Sequence, residues 1–276
     1  MTTENQVTQH YQHGNLLSAI EAGLSELGKT PDQATIEDLG PVDEFHIGGR
    51  IASEHFLRQL EISPGMHVLD VGCGLGGSAR FAAKTFKADV TGIDLTREYI
   101  ETGQALCGWV GLSDRITLQN ENATSMTFED KTFDSAYMIH VGMNIEDKRN
   151  LFTELFRVLK PGSSFGVYDI MRTNKGELNY PVPWAASPKT SWLAVSERYK
   201  QAMKEAGFVI LNENNRREFA LDFFKTLKEK NVANGGPPPL GLHTLMQNTA
   251  AEKVQNMVGN IAGGLIAPVE IIARKP

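Results

Sequence analysis

The stretch His67-Val-Leu-Asp-Val-Gly-Cys-Gly-Leu-Gly-Gly77 decides the fold: an apolar, β-forming run ends in a glycine loop, and a helical pattern from Ser78 to Phe86 follows at once. Such a turn brings backbone N–H groups and a helix N-terminus close to a bound nucleotide-like ligand. Gly72, Gly74 and Gly77 satisfy the spacing G-x-G-x-x-G, and Asp94 lies far enough downstream to hold ribose hydroxyls. The glycine pattern alone does not separate NAD from other adenosine cofactors. Asp70 tips the balance, because it places a charge two positions before the first glycine, where dehydrogenase strands usually stay apolar.

Outward from this loop, short β-rich runs alternate with helical periods. Met66 to Val71, Ala88 to Ile93, Ile116 to Gln119, Ser135 to Ile139 and Phe165 to Asp169 read as strands one to five. Tyr99, Ile100, Gly103, Leu106, Cys107 and Val110 mark one intervening helix face, and Leu151, Phe152, Leu155, Phe156 and Leu159 another. This alternation predicts an α/β fold with a parallel, doubly wound sheet. Phe208 to Leu211 and Pro268 to Ala273 add a sixth and a seventh strand. Arg172 to Thr190 has no period and reads as a long loop near the strands' carboxyl ends. Two helical stretches, Asp222 to Lys230 and Leu242 to Val258, flank a stiff Gly-Gly-Pro-Pro-Pro break at 235–239. Before the sheet, Leu16, Leu17, Ile20, Leu24 and Leu27 give residues 6–28 an amphipathic helix, followed by a polar loop and Pro41.

The composition bounds the function. The chain has 276 residues, 27 Lys+Arg against 33 Asp+Glu, a net charge of −6 and a pI near 5.7. No basic run is present, so nucleic acid is not the expected partner. Two cysteines, Cys73 and Cys107, make no disulfide framework, which suits a reducing cytoplasm. Neither a signal peptide nor a membrane span is expected, and no His/Asp/Glu/Cys group has metal-ligand spacing.

Four segments in order, VLDVGCGLGG, VTGIDLT, FDSAYMIHV and RVLKPGSSFGVYD, resemble the successive motifs of class I S-adenosylmethionine-dependent methyltransferases across residues 66–169. The resemblance implies a Rossmann-like seven-stranded sheet of order 3-2-1-4-5-7-6, with the cofactor across the carboxyl ends of strands one to four. It implies that Asp70, Gly72 and Gly74 line the methionine half, and that Asp94 and Leu95 hold the ribose and adenine. Where the family usually carries Gly-Asp-Ala, this chain has Glu121-Asn122-Ala123; the Asn122 amide oxygen and the Ala123 N–H are then the expected adenine contacts. His140, just past strand four, falls where the family places acceptor-facing residues, and the resemblance counts it among the cofactor-binding residues as well.

Asp43-Glu-Phe-His-Ile-Gly48 resembles a His-bearing segment of sarcosine/dimethylglycine N-methyltransferases; the ubiquinone/menaquinone-biosynthesis group shares the sheet motifs. The expected activity is therefore methyl transfer to a small molecule, with an amine such as a glycine derivative as the first acceptor class. C- or O-methylation of a prenyl, quinone or other natural-product acceptor is the alternative. An NAD(P)-binding oxidoreductase and a non-catalytic cofactor-binding protein are the rivals from other classes. His140 and His46 are the candidate proton acceptors, and Tyr11, Met143, Asn144, Tyr180 and Trp184 the candidate acceptor-site residues. Asp147 and Lys148 read as a solvated helix start. The expected organisation is an N-terminal helical lid over 1–60 and a methyltransferase domain over 61–276, with an acceptor-site insertion about 172–192. The oligomeric state stays open, a homodimer included.

Overall fold

The computed structural model describes residue 8 and residues 10–276; the N-terminal part of the 6–28 helix expectation lies outside the described residues at 6, 7 and 9. The sheet has seven strands: β1 (His67–Val71), β2 (Asp89–Asp94), β3 (Ile116–Asn120), β4 (Phe133–Ile139), β5 (Leu159–Arg172), β6 (Val209–Asn215) and β7 (Ile266–Arg274). Their order is β3-β2-β1-β4-β5-β7-β6, as the resemblance implied. All neighbours are parallel except β7, which runs antiparallel to both β5 and β6.

Both faces of the central strands are covered, and for this reason β1 reads as a nearly continuous apolar run. Val68 packs with Ala52, Phe56, Ala82 and Ile100 on one side. Leu69 and Val71 pack on the other with Leu151, Phe152, Leu155 and Tyr199. The covering helices are α1 (Leu16–Glu26), α2 (Ile36–Asp43), α3 (Gly49–Leu57), α4 (Gly77–Phe86), α5 (Arg97–Trp109), α6 (Lys148–Val158) and α7 (Ser196–Ala206). Three more, α8 (Arg217–Ala233), α9 (Leu242–Met246) and α10 (Ala250–Ala262), precede β7.

Several local expectations are corrected. Residues 36–43 form a helix rather than a loop: Thr35 and Asp38 make a capping box, with the Asp38 N–H donating to Thr35 Oγ1 at 3.2 Å and the Thr35 N–H to Asp38 Oδ2 at 2.9 Å. Leu159 ends the α6 period and begins β5. The stretch 242–258 is two helices, because the backbone turns left-handed at Gln247, with φ of +50°. The N-terminal helix shares a core with the sheet domain: Leu16, Ile20, Leu24 and Val42 pack against Leu75, Tyr99 and Leu106.

Candidate active site

At the carboxyl end of β1 the chain turns through Gly72 and Gly74, whose φ angles of +70° and +55° favour glycine. The N–H groups of Gly72 and Cys73 both donate to Ile93 O, at 2.8 and 2.9 Å, which ties the loop to β2. A Cβ on Gly72 would lie 2.4 Å from Val141. One on Gly74 would meet nothing within 4 Å, because that direction opens into a cavity of about 280 Å³.

This first cavity is walled by the ends of β1, β2 and β4 and by the segment after β3. Asp70, Gly72, Gly74, Asp94, Leu95, Asn122, Ala123 and His140 all line it, so every residue expected to hold the cofactor is gathered here. Asp70 accepts one hydrogen bond, from the Tyr137 hydroxyl at 3.0 Å, and burial pushes its carboxyl up to about 7. Asp94 is already engaged: Oδ2 accepts from the Gly74 N–H at 3.0 Å and Oδ1 from the Thr96 N–H at 2.8 Å. Its first task is thus to shape the glycine loop. The Asn122 amide oxygen accepts from the Thr124 N–H and hydroxyl at 2.9 and 2.8 Å, so it serves a local turn rather than standing open toward an adenine amino group.

A second, larger cavity of about 1310 Å³ lies beside the first. Its walls include Met143, Trp184, Phe223, Phe224, Leu227, Met246, Val254 and Met257, contributed by the turn after β4, the insertion, α8, α9 and α10. The two cavities share four residues: Tyr11, Phe45, His46 and His140. His140 has a φ of +56°, unusual outside glycine, and its N–H donates to Tyr168 O at 2.7 Å. Its ring lies 5.9 Å from that of His46 and 5.2 Å from that of Tyr168, centroid to centroid. His140 Nε2 is buried with no hydrogen-bond partner among the described residues. His46 Nε2 carries its proton, since it donates to Gly49 O at 3.1 Å, and it lies 3.0 Å from Ser53 Oγ. Burial holds both imidazoles neutral, pushing His46 down to about 4 and His140 well below its ordinary value.

Of the acceptor-site candidates, Tyr11 lines both cavities, Asn144 the first, and Met143 and Trp184 the second. Asn144 Nδ2 donates to the Tyr11 hydroxyl at 3.2 Å. Tyr180 is a correction: it lines neither cavity and packs into the apolar cluster around Val182 and Ile266. Lys148 is another, being buried rather than solvated. The residues missed in sequence are those of the second wall, Phe223, Phe224, Leu227, Met246, Val254 and Met257. Their helical period was visible, but nothing local tells a face that packs on a core from one that lines a void.

The family model described as "Methyltransferase domain" matches residues 68–162. The O-methyltransferase resE of Aspergillus sclerotiorum is 29% identical over 82% of this chain and 83% of its own length. The cycloartenol-C-24-methyltransferase 1 of Oryza sativa subsp. japonica is 34% identical over 60% of this chain, which spans half of that protein's length. Among solved structures, geranyl diphosphate C-methyltransferase from Streptomyces coelicolor A3(2) shares the fold with a TM-score of 0.71 at 14% identity, over 100% of this chain and 98% of that one. A putative sarcosine dimethylglycine methyltransferase from Galdieria sulphuraria gives 0.64 at 18% identity, over 82% and 84%. With the methyltransferase match lying on the strands that wall the first cavity, residues 68–162 form a methyltransferase domain, and the chain is similar to methyltransferases over most of its length.

Proposed function

We propose that the first cavity takes S-adenosylmethionine, that the second takes an apolar acceptor, and that the methyl group passes between them at the His46–His140 junction. The observation that carries this is that, among the described residues, the two cavities share Tyr11, Phe45, His46 and His140 alone. The cofactor fits what is present. Asp70 is a buried carboxyl with a single hydrogen bond, and a cation beside it would restore its charge; the open direction at Gly74 lets a ligand approach the backbone. When bound, the cofactor supplies an electrophilic methyl group on a cationic sulfur.

The remaining work falls to the protein: aligning the acceptor, excluding water and accepting a proton. His140 lines both cavities and its imidazole is neutral at neutral pH, so it is the first candidate to take a proton from the acceptor, with His46 beside it. Imidazoles with depressed pKa are modest bases, which favours acidic acceptors such as phenols or activated carbons. An apolar acceptor takes precedence over the glycine derivative. The apolar part of the wall, Met143, Trp184, Phe223, Phe224 and Met257, favours the apolar acceptor, while Glu44, Arg50, Glu54 and Lys84 line the same cavity elsewhere.

Residues 1–60 serve as a cap in this reading, and 172–192 as an acceptor-site insertion on a domain over 61–276. Glu98 accepts from the N–H groups of His13, Gly14 and Leu16, and His10 Nε2 donates to Pro183 O at 2.9 Å, so the N-terminal segment is tied to both α5 and the insertion. Among the described residues no helix is long and apolar enough to cross a membrane, and both cysteines are free. The setting we assign is cytoplasmic, with neither nucleic acid nor membrane as partner.

The test is incubation with methyl-labelled S-adenosylmethionine and a panel of phenols, prenyl compounds, sterols and small amines. Label should enter an apolar acceptor, and His140→Ala should lower its turnover by about 100-fold or more while the cofactor still binds. Label in glycine derivatives alone overturns the acceptor class. Cofactor binding with no transfer to any compound favours a binding protein.

A further inference from the structure

Lys148 opens α6 and is 2% exposed. Its ammonium donates to three carbonyl oxygens: Trp192 O at 2.8 Å, Ile145 O at 3.0 Å and Gly142 O at 3.2 Å. Three acceptors use all three ammonium hydrogens. Nζ also lies 5.0 Å from the centroid of the Tyr199 ring. Two of these carbonyls belong to the turn after β4, and the third to the end of the insertion. The same two segments meet again where the Trp192 N–H donates to Met143 O at 2.8 Å. The turn has no slack beneath it: a Cβ on Gly142 would lie 2.5 Å from Asp169 Oδ2 and 2.7 Å from the Tyr199 hydroxyl.

These segments face different cavities. The turn presents Asn144 and Ile145 to the first and Met143 to the second. The insertion presents Trp184 to the second, and Trp184 Nε1 donates to Ser191 Oγ at 3.0 Å, one residue before Trp192. We propose that Lys148 is a positioning residue that couples the two cavities, so that occupation of the first is transmitted through the turn to the insertion walling the second. The proposal rests on the reading of the first cavity as the cofactor site. A lysine used only to fill the core would need no such bridge, and an apolar residue of the same length would fill the space at lower desolvation cost.

The groups facing Lys148 also make the coupling sensitive to pH. Burial lowers its ammonium to about 8, with Asp169 opposing that shift and Arg198 adding to it. Asp169, held by the Tyr199 hydroxyl at 2.7 Å, is itself raised to about 7 by burial. Above pH 8 Lys148 becomes a neutral amine with two hydrogens for three carbonyls, and the bridge loosens.

The chain has three tryptophans, Trp109, Trp184 and Trp192, so Trp109→Phe leaves only those of the insertion. In that background, S-adenosylmethionine is titrated by calorimetry and by indole emission in parallel. The emission should change with the calorimetric curve. Lys148→Met should keep cofactor affinity within roughly fivefold and lose the emission change; Lys148→Arg should restore it. Near pH 9.5 the lysine protein should have lost more than about half of its response, whereas the arginine variant, charged throughout, keeps it. The cofactor's own amine titrates alike in both. A full response in Lys148→Met, or none in the parent protein, overturns the coupling. Should Lys148→Met not fold, equal responses of the lysine and arginine proteins near pH 9.5 overturn it. Absence of any cofactor heat from the folded parent overturns the cofactor reading itself.

Discussion

The first and the second cavity are built by different means. The first is made chiefly of strand ends, a glycine loop pinned to Ile93 O, and the Asp94 carboxylate that accepts from the Gly74 N–H. The second is made of side chains on helices and on the insertion, with Phe223, Phe224 and Leu227 on α8 facing Val254 and Met257 on α10. Backbone geometry tolerates little change, whereas an apolar wall can be recut one side chain at a time. The family match follows this division in part: it covers 68–162, and of the second cavity's wall only Phe81, Lys84, Thr85, Lys87, His140 and Met143 lie inside it. One sheet edge can therefore serve many acceptors, and the acceptor has to be sought in the walls, not in the glycine loop.

If the first cavity depends on backbone approach, Gly74→Val should weaken S-adenosylmethionine binding by at least about 100-fold. The left-handed backbone at Gly74 strains any side chain there, so the thermal midpoint should fall as well, and affinity is read on the protein that remains folded. Calorimetry and a melting curve check both, and normal affinity would mean that the loop is only a turn. Asp94→Ala should cost about 1.5–3 kcal/mol of cofactor binding, roughly 10- to 100-fold. Because Asp94 also holds the Gly74 and Thr96 N–H groups, this variant should lose stability as well, unlike one whose carboxylate served the ligand alone.

On the other side, Phe224→Ala should reduce binding of the panel-identified acceptor by about tenfold, or 1.5 kcal/mol, and leave cofactor affinity within about twofold. Equal losses for both ligands would erase the distinction between the cavities. A further effect expected is one of pH. Asp70 is raised to about 7 from an unfolded value near 3.9, so the folded chain binds more protons than the unfolded one between those values. Its contribution to stability is therefore lost as pH rises through that window. Asp70→Asn has no such ionisation, and its melting midpoint relative to the parent should rise from pH 4 to pH 7; a constant difference would place the Asp70 titration elsewhere.

Most of the sheet was legible in the chain, because each strand carries its own apolar run and each helix its own period. The first cavity was legible with it, since Gly72, Gly74, Asp94 and Ala123 sit at strand ends, and the topology of a doubly wound sheet brings strand ends together. Legibility failed where one local pattern serves two structures. Asn122 was read as an acceptor for a ligand, yet Thr124, two residues on, takes its amide oxygen. Tyr180 and Trp184 stand four residues apart on one aperiodic loop and meet the same apolar cluster, and only packing decides that Trp184 also lines the second cavity while Tyr180 does not.

Lys148 marks that limit most clearly. By itself the sequence determined a charged residue at the start of an amphipathic helix, and there the solvated reading is the usual one. What buried it was the tertiary structure, which brought the carbonyls of Gly142, Ile145 and Trp192 to one point across 44 residues of chain between Lys148 and Trp192. A residue's own pattern reports its local conformation; whether its charge meets water or three carbonyl oxygens depends on neighbours remote in sequence, and those are assembled only when the chain has packed.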